Sequence, residues 1–402
     1  MISVDEALAA YEQLPPLPLE TLAVSAALHR VLATDGLATW DLPRHSQSAL
    51  DGYVLCAADA QAGTALNVAG TIAAGDTRSL APLAGGQAQR IFTGARVPAD
   101  ATPENAVVVA QERVRREDTT VTLHTSLKPG ANIRWQGEEA RAGTVVARTG
   151  QRLTPGLVAS LLTAGVAELA VRRSPRITVL VSGDELKPAG SPLATGQIWD
   201  SNGPLVRTWL QGRGYGCTLR HLPDDLDATR KAIGEALASS DVVISTGGVS
   251  VGEKDFIIPA AEALGVQRQF WRVAQKPGKP LYFGTAEAGR KALLGLPGNP
   301  GAVLVGLTLH LRKLLDVLEG ASTPGALFAR GVLTAAVQAD AQRERLLRMR
   351  LEHDAEGRAL LHPLPHQDSH MLSNLDAATV LVRLPLREHD YSAGEVLLWT
   401  PL

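Results

Sequence analysis

The segment Asp241-Val-Val-Ile-Ser-Thr-Gly-Gly-Val-Ser-Val-Gly-Glu-Lys-Asp255 constrains the fold of this chain more than any other. An apolar run of buried-strand character passes straight into a turn with glycines at 247, 248 and 252, and glycine opens backbone conformations closed to other residues. Several N–H groups can then converge on one oxyanion of phosphate size, and a following helix would add its dipole. The same residues also fit a plain strand-to-helix turn of an α/β protein. Two further segments favour the anion site: Lys276-Pro-Gly-Lys-Pro280 and Gly295-Leu-Pro-Gly-Asn-Pro300, each beside a short apolar run. Loops that follow three strands of a parallel sheet share one edge, where such folds bind ligands.

Around this segment the pattern alternates. Ile177–Val181 reads as strand, 203–213 as helix, 217–222 as strand, 226–238 as helix, 242–245 as strand and 257–264 as helix, which implies a doubly wound parallel sheet. A long amphipathic helix over 304–318 closes the unit, and 320–325 reads as a linker. Upstream, Ser3 and Glu6 are spaced as a capping box for a helix ended by Pro15-Pro16. Residues 46–140 show short alternating runs such as 107–110 and 121–124, the mark of a small β-rich domain. Thr154 and Pro155 open a helix expected to run to Leu169. Short strands return at 346–351 and 379–384. The fold class expected is therefore multidomain, α/β plus β, with a central doubly wound α/β domain and small β-rich domains on either side.

Length and charge set the limits of function. A chain of 402 residues supports two to four domains. A formal net charge of -2 gives no global attraction to nucleic acid or to a membrane surface, so an anionic ligand must be held locally. Cys56 and Cys217 stand alone, without a CxxC or Cys/His cluster, which excludes a disulfide framework and a structural zinc site and fits a reducing, cytoplasmic compartment. No run of about eighteen apolar residues and no signal-peptide core is present, so neither a membrane span nor that export route is expected.

Several acids fall at the same sheet edge as the three loops. Asp184 and Glu185 follow the first strand, Asp224 and Asp225 the second, and Asp255 the glycine turn. Carboxylates beside a phosphate repel it unless a cation intervenes, and Mg²⁺ takes one or two carboxylates together with phosphate oxygens and waters. Each acid alone also fits a helix cap or a solvated loop. Lys276 and Lys279, on a loop stiffened by prolines, suit point-charge binding of an oxyanion or an ordinary surface. Asp51 and Thr93 sit at turns of the β-rich region, and Ser369-His-Met-Leu-Ser373 and the arginine-rich stretch from Arg343 to Arg350 lie near the C-terminus. A rival motif is Gly248-Val-Ser-Val-Gly252, which matches a G-x-S-x-G nucleophile elbow with histidines downstream. It would leave the partner loops and the acids without a role.

Taken in order, SALDGY (48–53), TGA (93–95), IRWQGEE (133–139), SGDEL (182–186), STGGVSVGEKDF (245–256), KPGKP (276–280), LPGNP (296–300) and SHMLS (369–373) resemble the molybdopterin molybdenumtransferase family, to which the C-terminal domain of gephyrin is related. The resemblance covers essentially the whole chain. It implies a Mg²⁺-dependent transferase of molybdenum cofactor biosynthesis that takes adenylylated molybdopterin and molybdate and releases AMP. A linking domain formed by 1–45 and 141–174, a β-rich domain at 46–140, an α/β domain at 175–321 and a C-terminal β domain at 322–402 are implied. So is a cytoplasmic homodimer, with contacts to other cofactor-assembly proteins. The catalytic residues implied are Asp51, Thr93, Glu139, Glu185, Asp225 and Asp255, with Glu185, Asp225 and Asp255 at Mg²⁺. Substrate contacts fall on Gly247, Gly248, Ser250, Lys276, Lys279, Pro280, Pro297, Gly298, Asn299, Pro300, Arg343, Ser369 and Ser373. Asp51, Thr93 and Glu139 would face the α/β domain of the partner chain. Three departures stand out: Glu138-Glu139 where the family has Glu-Asp, Gly301-Ala302 where it commonly has Val-Ser, and Leu50 in place of Met. An adenylyltransferase built on the same α/β unit and a non-catalytic scaffold are the alternatives.

Overall fold

The structure, a computed structural model, describes residues 1–250 and 252–402. At its centre lies a six-stranded sheet of β1 (Ile177–Ser182), β2 (Thr218–Leu222), β3 (Val242–Thr246), β4 (Gln267–Trp271), β5 (Tyr282–Ala286) and β6 (Lys291–Leu296). The strand order is β2-β1-β3-β6-β5-β4. The first four in that row are mutually parallel. β5 runs against both β6 and β4, so the sheet is mixed and not wholly parallel as the alternation implied. The cause is local: only residues 287–290 separate β5 from β6, too few for a parallel crossover, which takes a dozen or more.

Helices cover both faces. Helix α1 (Asn202–Gln211) packs Val206, Trp209 and Leu210 on one face, beside Tyr11 of the N-terminal helical segment and Val303, Leu307 and Leu311. α2 (Leu226–Ser239) and α3 (Ile257–Ala263) place Ile233, Ala236, Ile257 and Ala260 on the other. The closing helix is longer and less amphipathic than its sequence suggests. It starts as α4 (Pro300–Val305), passes through a π-helical stretch at Gly306–Leu311 and ends with Arg312–Leu318. Residues 301–311 are all buried, because Val305 and Leu309 pack against Leu346 and Leu381 of the C-terminal domain while Leu307 and Leu311 face the sheet.

The Ser3–Glu6 capping box forms. The helix at 155 ends at Thr163 and not at Leu169, with Gly165 in the left-handed region (φ +80°), and Glu168–Arg172 becomes a strand paired with Leu19–Ala23. Six strands between Gly52 and Leu123 form the β-rich sheet. The C-terminal sheet closes on itself through Glu344–His353, which pairs with both Ala359–Pro363 and Val380–Leu384. The same long strand pairs in parallel with Gln275–Lys276. The lysine loop is therefore stitched to the C-terminal domain by backbone hydrogen bonds.

Candidate functional site

A row of paired residues, Arg220, Leu180, Ser245, Gly295, Tyr282 and Trp271, crosses the whole central sheet. β1, β2, β3 and β6 all leave the sheet on the same side of that row. β4 runs in their direction and β5 against it, so the loop joining β4 to β5 emerges there too. One edge thus gathers Ser182–Glu185, Asp224, the glycine turn, Lys276–Pro280 and Pro297–Pro300, as the loop positions in the sequence require.

Two basins lie along this edge. The first, of about 600 Å³, is lined by Glu185, Asp200, Asn202, Asp224, Thr246, Gly247, Gly248, Lys254, Asp255 and Asn299, among others. The second, of about 510 Å³, is lined by Lys276, Lys279, Pro280, Pro297, Asn299, Ala302, Arg343 and Ser369. Asn299 and His370 border both. One basin is rich in carboxylates and glycine backbone, the other in cations.

The glycine turn is shaped by close packing. Gly247 and Gly248 have φ of +86° and +69°, and a Cβ on Gly248 would meet Ile257 Cγ1 at 2.7 Å. The Gly247 N–H donates to the Leu296 carbonyl at 3.0 Å, so this donor is committed to the neighbouring loop and is not offered to a ligand as expected. The indole N–H of Trp271 donates to the Val249 carbonyl at 3.0 Å and anchors the far side. Ser250 lines neither basin. Helix α3 begins seven residues beyond it, which does not match a nucleophile elbow. Val251, within that motif, lies outside the described residues.

The acids divide by role. Asp225 is the N-cap of α2, its Oδ1 accepting from Ala228 N–H at 2.7 Å. Asp224 is the one of the pair that lines the basin; its N–H donates to Asp184 Oδ1 at 3.1 Å, and Lys254 Nζ stands 3.8 Å from its Oδ2. Asp255 lines the basin while its Oδ2 accepts from Gly252 N–H at 2.6 Å. Among the described residues no three His, Cys, Asp or Glu side chains form a closed metal cage. Glu185, Asp224 and Asp255 line the same basin without forming such a group, whereas Mg²⁺ needs only one or two protein carboxylates when phosphate oxygens and waters complete its shell.

Loops meet across the junction of the basins. Asn202 Nδ2 donates to the Gly298 carbonyl at 2.6 Å. Asn299 Nδ2 donates to Ser369 Oγ at 2.8 Å, and Gly301 N–H to the Ser369 carbonyl at 2.8 Å. A Cβ at Gly301 would fall 2.8 Å from that carbonyl, which accounts for glycine at this position. Arg343 is held by Asp340, whose Oδ2 accepts from Arg343 Nη2 at 3.2 Å. Ser373 lines neither basin.

Beneath the lysine loop runs a buried polar thread. Gln275 Nε2 donates to the Gly278 carbonyl at 3.2 Å, which leaves Gln275 Oε1 to accept from His310 Nε2–H at 2.9 Å. His310 Nδ1 then accepts from the Tyr11 hydroxyl at 3.1 Å. Every group in the thread has one consistent role, and it requires neutral imidazole. Burial, with Arg383 adding to it, pushes His310 down to about 3.

Asp51, Thr93 and Glu139 line neither basin. Asp51 Oδ1 accepts from both the N–H (2.8 Å) and the hydroxyl (2.7 Å) of Thr93, and these bonds hold its carboxyl below the usual range. Within one chain this pair forms its own cluster in the β-rich domain. Sequence reasoning missed Trp199, Asp200 and Asn202; Lys254 and His370, which also line the basin, stand within motifs quoted from the sequence but were not among the expected site residues. Asp200-Ser201 precedes a helix that opens at Asn202, and that position is its visible signal. Asp200 accepts from Gly203 N–H at 2.9 Å through Oδ1 and contacts His221 Nε2 at 2.9 Å through Oδ2.

An α/β sheet with an anion-lined edge, set between β domains, defines a multidomain protein built around a molybdopterin-binding type of domain: residues 178–317 match the probable molybdopterin binding domain model. Residues 2–165 match the MoeA N-terminal region (domain I and II) and 330–402 the MoeA C-terminal region (domain IV). The chain belongs to the MoeA family. It is 37% identical over 323 residues to the molybdopterin molybdenumtransferase of Haemophilus influenzae, covering 80% of this chain and 78% of that one. To the Staphylococcus epidermidis molybdopterin molybdenumtransferase it is 31% identical over 377 residues, covering 92% and 88%. The molybdopterin biosynthesis moeA protein of Pyrococcus horikoshii OT3 superposes with a TM-score of 0.80 at 26% identity, over 100% of both chains.

Proposed function

We infer that this chain is a molybdopterin molybdenumtransferase, which moves molybdenum from molybdate into adenylylated molybdopterin and releases AMP. The observation that carries this is the pair of basins on one sheet edge, meeting at Asn299. The reaction joins a phosphoanhydride to be cleaved with a tetrahedral oxyanion to be captured, and the two basins differ in chemistry as those two ligands do. In the cationic basin Lys276, Lys279 and Arg343 supply charge for molybdate, and the backbone pairing of Gln275–Lys276 with Glu344–Arg345 keeps these groups in register. In the acidic basin the glycine turn and Lys254 accommodate phosphate. Mg²⁺ bound through one or two of the carboxylates lining this basin, Glu185, Asp224 and Asp255, would neutralise the phosphoanhydride there.

The family resemblance extends this to a homodimer in which Asp51, Thr93 and Glu139 face the acidic basin of a second chain. Their separation from the basins within one chain supports that arrangement. No helix among the described residues is long and apolar enough to cross a membrane, and a cytoplasmic biosynthetic role is part of the same proposal.

The test is AMP release from adenylylated molybdopterin with Mg²⁺, comparing molybdate with no oxyanion. Release is expected to depend on molybdate. Equal release without it rejects the transferase.

A further inference from the structure

Strand order gives the cleft a direction. Along the loop edge the order β2, β1, β3, β6, β5 sets out Asp224, then Glu185, then the glycine turn, then Asn299, then the lysine loop. Neighbouring strands stand about 4.8 Å apart, so the β1 loop and the lysine loop are separated by roughly 14 Å, with the glycine turn between them. This inference rests on the function proposed above. On that function the dithiolene must meet molybdate at the lysine end, and the phosphoanhydride takes the glycine turn. The nucleoside half of the substrate then extends away from the lysines, toward β1 and β2.

At that end stands Trp199. It is 51% exposed and lines the acidic basin with Leu186. Ile198–Trp199 pairs with Leu186–Lys187 in a short parallel ribbon that follows β1. The indole N–H donates to the Ser191 carbonyl at 2.9 Å, so the edge of the ring is fixed while much of its surface stays open. A phosphate gains nothing from an indole surface. A planar heterocycle gains stacking that is tolerant of its sequence of ring atoms.

We propose that Trp199 is the stacking platform for the adenine ring of adenylylated molybdopterin, and therefore for product AMP. Trp199 is a binding residue in this assignment and touches no reacting atom.

The test compares wild type with Trp199→Ala and Trp199→Phe, using AMP as a direct ligand in calorimetry and adenylylated molybdopterin as substrate in turnover. Trp199→Ala is expected to weaken AMP binding about tenfold or more and to raise KM for the substrate, with kcat changed far less. Trp199→Phe is expected to restore most of both, because a phenyl ring also stacks. Unchanged melting temperatures rule out misfolding as the cause. AMP affinity unchanged while KM rises would move the platform to the pterin ring and overturn the adenine assignment. No change in either quantity would remove Trp199 from the ligand altogether. AMP binding that depends on Trp199, in a protein that shows no molybdate-dependent release, would reject the transferase and leave the adenine site standing.

Discussion

His310 shows how one side chain, invisible as a functional residue in the sequence, bears on the lysine loop. Its imidazole is wholly buried and neutral, whereas in the unfolded chain it titrates near 6.5. The sign follows from that depression: between pH 6.5 and 3 the unfolded state binds the extra proton, so stability is intact above 6.5 and declines as pH falls. The slope from this residue is about 1.4 kcal/mol per pH unit in that window. Chemical denaturation of wild type and His310→Gln at pH 7.5 and 5 should show a smaller loss in the variant. An equal loss would mean that His310 is not the group responsible. At Ala302 the expectation concerns affinity. This residue is buried and lines the cationic basin, so Ala302→Ser would add a donor beside the oxyanion and tighten molybdate binding about tenfold, a hydrogen bond to a charged group contributing about 1.5 kcal/mol. Calorimetry with molybdate measures this directly, and weaker binding would show that the extra hydroxyl is not accommodated. Lys276 and Lys279 were legible because charge on a proline-stiffened loop is a local signal, whereas Arg343, in an arginine-rich stretch, was singled out only through the family resemblance. Trp199 was not, since an indole reads as core until its exposure is known.

At the scale of elements, Asp224 and Asp225 are adjacent in sequence yet committed to different tasks. Strand β2 ends at Leu222 and helix α2 begins at Leu226, so the residue before the helix must cap it and the one before that is free to face the edge. Asp225→Ala is expected to lose about 1 kcal/mol of stability, and Asp225→Asn to recover it, because asparagine caps as well as aspartate. Asp224→Asn should instead reduce Mg²⁺-dependent AMP release with little change in melting temperature. If Asp225→Asn abolishes release while the fold is intact, the metal role passes to Asp225. The alternation of strand and helix was readable from residue 177 to 264 because buried strands and capped helices have opposite periodicities. The reversal of β5 was not, since a four-residue hairpin turn and a crossover start differ only in length. The closing helix misled for another reason: a second apolar face, Val305 and Leu309, is buried by a domain that is distant in sequence.

For the whole molecule the decisive question is whether one chain holds a complete site. Asp51 and Thr93 bind each other in the β-rich domain and line neither basin, while Asp255 stands in the acidic basin. If both groups serve one reaction, a closed dimer is the simplest way to bring them together, since twofold symmetry builds two equivalent shared sites. Complementation then separates the possibilities. Asp51→Asn and Asp255→Asn should each be nearly inactive as homodimers. In a mixed dimer one site carries both substitutions and the other carries neither. Random pairing of equal amounts makes half the dimers mixed, so about a quarter of all sites should be intact and AMP release should recover to that fraction. Co-expression with two different affinity tags and tandem purification would raise the recovery to about half, since every dimer then holds one intact site. A purified mixed dimer with no recovery would mean that Asp51 and Asp255 act within the same chain, or that Asp51 serves the fold of its own domain; a melting temperature lowered in Asp51→Asn alone would identify the latter. Recovery would establish that the β-rich domain completes the active site of its neighbour, a conclusion that neither the motif order nor the geometry of one chain supplies alone.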